Sequence, residues 1–186
     1  MKIVQPIREK KKIEEMKIEL RKKGTRDYLL FVTGINTGLR ISDIIKLRVM
    51  DVLNEDRTVK SHICINEQKT GKRKRFKIND TLSREFIEYT KNMKMTDCLF
   101  VSRIGENQPI TRIQAYRKLN VVGKKIGLEE IGTHTLRKTF GYWFYKKTKD
   151  IAMLQKLFNH SSPSITLAYI GIEQDEIDEA YDDFEI

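Results

Sequence analysis

The sequence predicts a mainly α-helical chain with one small antiparallel β-sheet, an α+β class. Apolar residues recur at helical spacing along most of its 186 residues, one central stretch switches to strict alternation, and glycines punctuate the helical runs. Hydrophobic residues make up 39% and charged residues 33%, too apolar for a disordered polyelectrolyte and too polar for a membrane protein.

After Pro6, Lys10 to Lys23 sets Ile13, Met16 and Leu20 at i, i+3 and i+7 among charges, an amphipathic helix ending near Gly24. Arg26 to Thr37 is a more apolar helix, broken by Asn36-Thr37-Gly38. Ser42 is placed to cap a short helix through Ile44, Ile45 and Leu47 that stops before Asp51. From Val59 to Ile78, His62, Cys64 and Asn66 alternate with Ile63 and Ile65, and Phe76 and Ile78 follow a Lys-Thr-Gly-Lys segment. That is a β-hairpin turning at Thr70-Gly71. Thr81 to Met93 is helical, Cys98 to Val101 a short strand or extended segment, and Thr111 to Ile126 a helix ending near Gly127. Helices at Thr135 to Thr148, Ile151 to Phe158 and Ser164 to Tyr169 complete the pattern.

There is no repeat of 20 to 50 residues and, with three prolines, no evident linker. The length suits one domain in three parts: a basic helical extension (1–24), a core (25–170) and an acidic tail (171–186). No apolar stretch approaches the roughly 20 residues of a bilayer-spanning helix, and the start lacks a signal-peptide pattern. Cys64 and Cys98 are two and far apart, so neither a disulfide framework nor a zinc site can be argued; reduced thiols and a cytoplasmic location are expected.

Charge is divided unevenly. Residues 1–170 hold all 36 basic residues and 18 acidic ones, a net +18, while residues 171–186 hold eight acidic and no basic residues. A polycationic body concentrates polyanions and is the usual footprint of nucleic-acid binding, and it is equally the mark of a solvated basic surface.

Four local patterns carry possible chemistry. In Thr37-Gly38-Leu39-Arg40-Ile41-Ser42-Asp43, Arg40 follows a glycine break at a helix entry, where its planar fork can meet a phosphate; in isolation a local pair with Asp43 at i+3 explains it better. Gln68 to Arg75 puts Lys69, Lys72, Arg73, Lys74 and Arg75 at or beside a hairpin tip. There a lysine can reach a backbone phosphate, or the charges can guard a strand edge. His134-Thr135-Leu136-Arg137, continuing to Lys138, sets His134 and Arg137 on one helix face, though such a pair is abundant by chance; Trp143 with Phe140 and Phe144 reads as core. In Asn159-His160-Ser161-Ser162-Pro163, a histidine closes one helix and another begins, with Tyr169 nine residues after His160. A phenol of ordinary pKa about 10 is a weak nucleophile unless cations or a base assist it; otherwise Tyr169 is a packed ring.

Taken in order, Arg, Lys, His-x-x-Arg, His, Tyr resembles the catalytic domain of the tyrosine recombinase (phage integrase) family from about Thr25 to Ile170. By that resemblance Arg40, Lys69, His134, Arg137, His160 and Tyr169 are catalytic, with Tyr169 the nucleophile and Asp43 a support. Lys72, Arg73, Lys74, Arg75 and Lys138 are expected to contact DNA. The family often has Leu-Gly-His where this chain has Phe158-Asn159-His160, and asparagine tolerates the left-handed backbone such a glycine adopts.

The resemblance implies cleavage and rejoining of double-stranded DNA through a 3′-phosphotyrosyl intermediate, in integration or excision, without metal, ATP or other cofactor. It implies a homo-oligomer, a tetramer, on DNA, and an acidic tail that docks on a neighbour or folds back, against a solvated end. The usual N-terminal core-binding domain is not found, which leaves a short recombinase, a piece of a longer one, or an accessory protein supplying the clamp. A DNA-binding regulator or decoy with this fold, and a topoisomerase-like nicking and sealing enzyme, are the alternatives.

Overall fold

The computed structural model describes residues 4–66, 71, 73–129, 131–132, 134–172, 181 and 184. In chain order they form α1 (Lys10–Lys23), α2 (Thr25–Thr37), α3 (Ile41–Ile44), α4 (Val49–Val52), β1 (His62–Asn66), β2 (Arg73–Lys77), α5 (Asp80–Thr90), α6 (Arg112–Lys125), α7 (Thr135–Thr148), α8 (Ile151–Phe158) and α9 (Pro163–Ile170). The two strands pair antiparallel, as a mainly α chain with one small sheet requires.

Helix α2 has no polar stripe through Tyr28-Leu29-Leu30-Phe31-Val32, and all five side chains are buried. A helix apolar on every side must be surrounded, and α1, α5, α6 and α7 pack around it. Helix α1 keeps its expected bounds and buries Ile13, Met16 and Leu20. Gly24 joins the two helices at φ 146°, backbone that favours glycine.

The short helix expected at Ser42 divides in two. Helix α3 starts at Ile41 with Arg40 as its N-cap, so Ser42 lies inside the helix instead of capping it. Long-range pairing interrupts the run that follows: Leu99 N donates to Leu47 O at 2.9 Å, and Arg48 bridges to Cys98. Helix α4 then begins, with Arg48 N donating to Asp51 Oδ2 at 2.8 Å. The short strand or extended segment expected at Cys98 to Val101 does not form: Cys98 and Val101 make isolated bridges, to Arg48 and Pro109, and the chain turns at Leu99 and Phe100 between them, as its hydrogen bonds to Leu47 and Ile110 require.

In the hairpin Ile63 faces Phe76 across the strands and both are buried, while Arg73, Arg75 and Lys77 of β2 are exposed. The expected turn lies partly outside the described residues; Gly71 has φ 65°. Side-chain caps begin several later helices. Asn79 caps α5, Thr111 and Gln114 form a reciprocal box on α6, and Asp150 caps α8.

Helix α7 joins the two halves of the core. One face meets α2, where Gly34 and Gly38 leave room for Leu136 and Phe140. Another meets a second apolar cluster of Tyr142, Leu154, Phe158, Ile170 and Ile172, against which Phe140, Trp143 and Phe144 pack. Residues before α1 strap the outside of α7: Ile7 N donates to Thr139 Oγ1 (2.9 Å) and Trp143 Nε1 to Ile7 O (3.0 Å). Arg8 donates to Gly171 O at 2.7 Å, just past α9. Ile172 is buried, and Tyr181 and Phe184 are exposed. The rest of the acidic tail, and with it the expected docking, lies outside the described residues.

Gly141 is where α7 touches α8 and α9. A Cβ there would stand 2.6 Å from Ile170 Cγ2 and 2.8 Å from Phe158. Gly141→Ala is expected to lose about 1–3 kcal/mol to overpacking, more than the ~0.5–1 kcal/mol gained in helix propensity. Thermal denaturation should show a lower Tm; an unchanged or raised Tm would mean that α9 has slack.

Candidate active site

Four segments meet at Tyr169: the Gly38–Arg40 connection after α2, the start of α7, the corner between α8 and α9, and α9 itself. Arg137 holds the first three together. Only 3% exposed, its guanidinium donates from Nη1 to Gly38 O at 2.6 Å and from Nη2 to Phe158 O at 3.0 Å. Gly38 is the C-cap of α2 and Phe158 the last residue of α8. Their carbonyls belong to the set a helix cannot satisfy internally, and both lie at the negative ends of helix dipoles. The Phe158 ring covers the guanidinium, 4.3 Å from Cζ.

The Tyr169 hydroxyl and His134 Nδ1 share a hydrogen bond of 3.0 Å. His134, the N-cap of α7, keeps an exposed edge, yet burial of its inner side lowers its pKa below the ordinary 6.5, and Arg137, Lys138, Arg40 and Arg112 push the same way. A neutral imidazole protonated at Nε2 offers a lone pair at Nδ1, so the phenol donates and His134 accepts. Burial raises the phenol above its ordinary 10.0, while Arg137 and Arg40 oppose that rise, Arg137 also through a hydrogen bond. A base and two cations thus converge on one hydroxyl, the arrangement that activates a phenol for nucleophilic attack.

The corner after α8 places His160. Asn159 is left-handed at φ 55°, as the Asn-for-Gly reading expects. Gln155 holds His160 at both ends of its backbone, accepting from its N–H (3.1 Å) and donating to its carbonyl (3.1 Å). Ser162 caps α9, and Pro163 takes its first position. The His160 ring lies 5.1 Å from the Tyr169 ring, and its Nδ1 is 3.1 Å from Thr166 Oγ1.

Five of the six expected catalytic residues are therefore gathered: Arg40, His134, Arg137, His160 and Tyr169. Asp43 is buried in the first turn of α3, its N–H bonded to Arg40 O at 2.9 Å. Lys69 and Lys72 lie outside the described residues. Arg73 and Arg75 are exposed on the ribbon, and Arg75 Nη2 is 3.2 Å from His62 Nδ1. Two of the expected DNA-contacting lysines are turned inward. Lys74 Nζ donates to Leu157 O at 2.9 Å, because β2 runs beside the end of α8. Lys138 is 8% exposed and its Nζ lies over the Tyr169 ring, 5.0 Å from the centroid.

Sequence reasoning missed three residues that shape the site: Phe158, whose ring borders Arg137, His160 and Tyr169; Thr166, the partner of His160; and Arg112, which acts on His134. Thr166 stands one helical turn after Ser162, a spacing that could have flagged it. Nothing local marks the other two.

The model of the phage integrase family matches residues 8–176. The chain is 55% identical over 181 residues to the probable integrase/recombinase YoeC of Bacillus subtilis, covering 97% of each, and 27% identical over 159 residues to the tyrosine recombinase XerA of Saccharolobus solfataricus. It covers 50% of that XerA, and so spans about half its length. Among solved structures, a XerA recombinase matches over 97% of this chain and 65% of its own, with a TM-score of 0.74 and 22% identity. A lambda integrase dimer bound to a core site matches over 93% and 62%, with a TM-score of 0.66 and 16% identity. At those identities the likeness concerns the fold. The family match over nearly the whole chain, together with the close similarity to YoeC, establishes that this chain belongs to the phage integrase family of tyrosine recombinases.

Proposed function

We infer that this chain is a site-specific DNA recombinase that cleaves and rejoins double-stranded DNA, in integration or excision, through a 3′-phosphotyrosyl intermediate, as a tetramer on DNA in the cytoplasm. The observation that carries this reading is the 3.0 Å bond between the Tyr169 hydroxyl and His134 Nδ1, with Arg40 and Arg137 acting on the same phenol.

Tyr169 Oη attacks the scissile phosphorus. The Oη–P bond forms, the P–O5′ bond breaks, and the phenol proton passes to His134 Nδ1. Arg40 and Arg137 face the non-bridging oxygens as their charge grows, the stabilisation that makes metal and ATP unnecessary here. His160 donates to the same oxygens from Nε2. Because Thr166 donates its hydroxyl proton to Ser162 O at 3.1 Å, the His160–Thr166 bond carries its proton on Nδ1. Donation from Nε2 therefore calls for the imidazolium, which an approaching phosphate favours. Lys69 protonates the 5′-oxygen, and Asp43 supports Arg40. Lys72, Arg73 and Arg75 hold the DNA backbone. An oligomeric neighbour or an accessory protein closes the clamp.

Covalent trapping on nicked suicide duplexes tests the reading: wild type is expected to give an adduct on a denaturing gel and Tyr169→Phe none, with DNA binding retained. Tight binding without any wild-type adduct would favour a DNA-binding regulator instead. Lys69→Ala should lose cleavage on ordinary DNA and regain most of it on a duplex with a 5′-bridging sulfur, a better leaving group; absence of rescue would make Lys69 a positioning residue. Since His134 must be neutral to accept the proton, and burial with the nearby cations lowers its pKa in the free protein from the ordinary 6.5, cleavage at subsaturating DNA, which reports the free protein, should hold as pH falls to 6.5 and decline only below it. An acid limb above 6.5 in the second-order pH–rate profile at subsaturating DNA would remove His134 as the base.

A further inference from the structure

Lys138 is nine-tenths buried, yet among the described residues its ammonium makes no hydrogen bond and no ion pair; the group it faces is the ring of Tyr169, 5.0 Å from Nζ. Burying an ammonium without an acceptor is costly, and here burial lowers the lysine pKa below 10.5. Lys138 is buried in a helix whose other buried side chains include Leu136, Thr139 and Tyr142, with no acceptor for its charge among the described residues. A charge kept against such a cost needs a partner, and the one the described residues of the resting site offer is the weak attraction of a neutral ring face.

The reaction supplies a better one. As Tyr169 passes its proton to His134, negative charge spreads from Oη into the ortho and para carbons, and the ring under Lys138 becomes part of an anion. An interaction stronger in the transition state than in the ground state is one that accelerates the step. The other charged or titratable groups around the phenol are already committed. His134, at the start of α7, takes the proton, while Arg137 of α7, Arg40 from the α2–α3 connection and His160 from the α8–α9 corner are drawn to the phosphate oxygens.

We propose that Lys138 is the counter-cation of the Tyr169 phenolate, assisting attack on DNA and departure of the same phenolate on rejoining, and is not a DNA-contacting lysine. This rests on Tyr169 being the nucleophile. In the adduct Oη is bonded to phosphorus and the ring charge is gone, so by microscopic reversibility Lys138 acts equally in both directions.

The test compares wild type with Lys138→Met, which keeps the length and removes the charge, and Lys138→Arg, which restores a charge. The free protein is labelled with tyrosine carrying carbon-13 at Cζ, and Tyr169→Phe assigns the Tyr169 signal. Burial brings the Lys138 and Tyr169 titrations into the same range, so the permanently charged Lys138→Arg is the reference: the Tyr169 phenol should titrate about one pH unit higher in Lys138→Met than in Lys138→Arg, about a tenfold difference in phenolate at any lower pH. On nicked duplexes, cleavage and rejoining should slow together by about tenfold, the loss shrinking as pH rises, while DNA affinity and its salt dependence stay at wild-type values. Equal Tyr169 titrations in Lys138→Arg and Lys138→Met overturn the proposal. So does a log–log salt slope shallower by about 0.9, the mark of one lost phosphate contact. If wild type itself forms no adduct, the nucleophile reading fails, whereas the titration still decides whether Lys138 acts on the phenol. Removing a buried charge should keep or raise Tm, and Lys138→Gln serves for the same titration should Lys138→Met not fold.

Discussion

The site depends on one buried cation placed where two helices end. Arg137 is 3% exposed and makes carbonyl hydrogen bonds to the cap of α2 and to the last residue of α8. Each charge-assisted bond of this kind contributes about 1.5–3 kcal/mol, and a carbonyl left orphaned costs a similar amount. A point charge such as lysine could not span two divergent acceptors as a planar fork does. For the fork to reach both, α7 must approach α2 closely, which Gly34 and Gly38 permit, and α8 must stop at Phe158, which the left-handed Asn159 enforces. Arg40 and His160 follow directly from those two stops. The requirement that holds the core together is thus the one that brings the functional side chains to Tyr169.

Within that frame the two groups sharing a proton are pushed apart. Burial keeps Tyr169 protonated and His134 neutral, and the cations that oppose the first effect reinforce the second. The resting site therefore stores its proton on the phenol. On the proposed reaction, a phosphodiester arriving among Arg40, Arg137 and Arg112 offsets part of the positive field that weakens His134 as an acceptor. The base then gains strength when substrate is present, and the empty site avoids carrying a reactive phenolate.

Much of this was legible in the sequence. Apolar periodicity against charge placed α1, α7 and α8 at their observed bounds, and alternation placed the hairpin. The order Arg40, His134, Arg137, His160, Tyr169 picked out residues that the fold gathers, since helix ends and turns have local signatures. What was hidden depends on distant partners. The division of the run after Arg40 into α3 and α4 comes from pairing with Cys98 and Leu99, some fifty residues away, and no local pattern carries it. Lys138 and Lys74 read as surface charges because their neighbours in the chain are basic; their burial or capture follows from packing against α9 and α8. The largely apolar run Thr139, Phe140, Gly141 and Tyr142 that follows it was the available hint for Lys138.

The capture of Lys74 bears on how separable the parts of this molecule are. The β-ribbon could be taken for an interchangeable appendage, joined to the body only at its base. Its second strand is instead fastened to the carbonyl of Leu157, three residues before His160. Ribbon and corner are thus registered to each other by a side chain that neither the turn nor the strand pairing specifies. A ribbon transplanted from another protein would fit this body only if it brought a lysine, or an equivalent donor, at that rung.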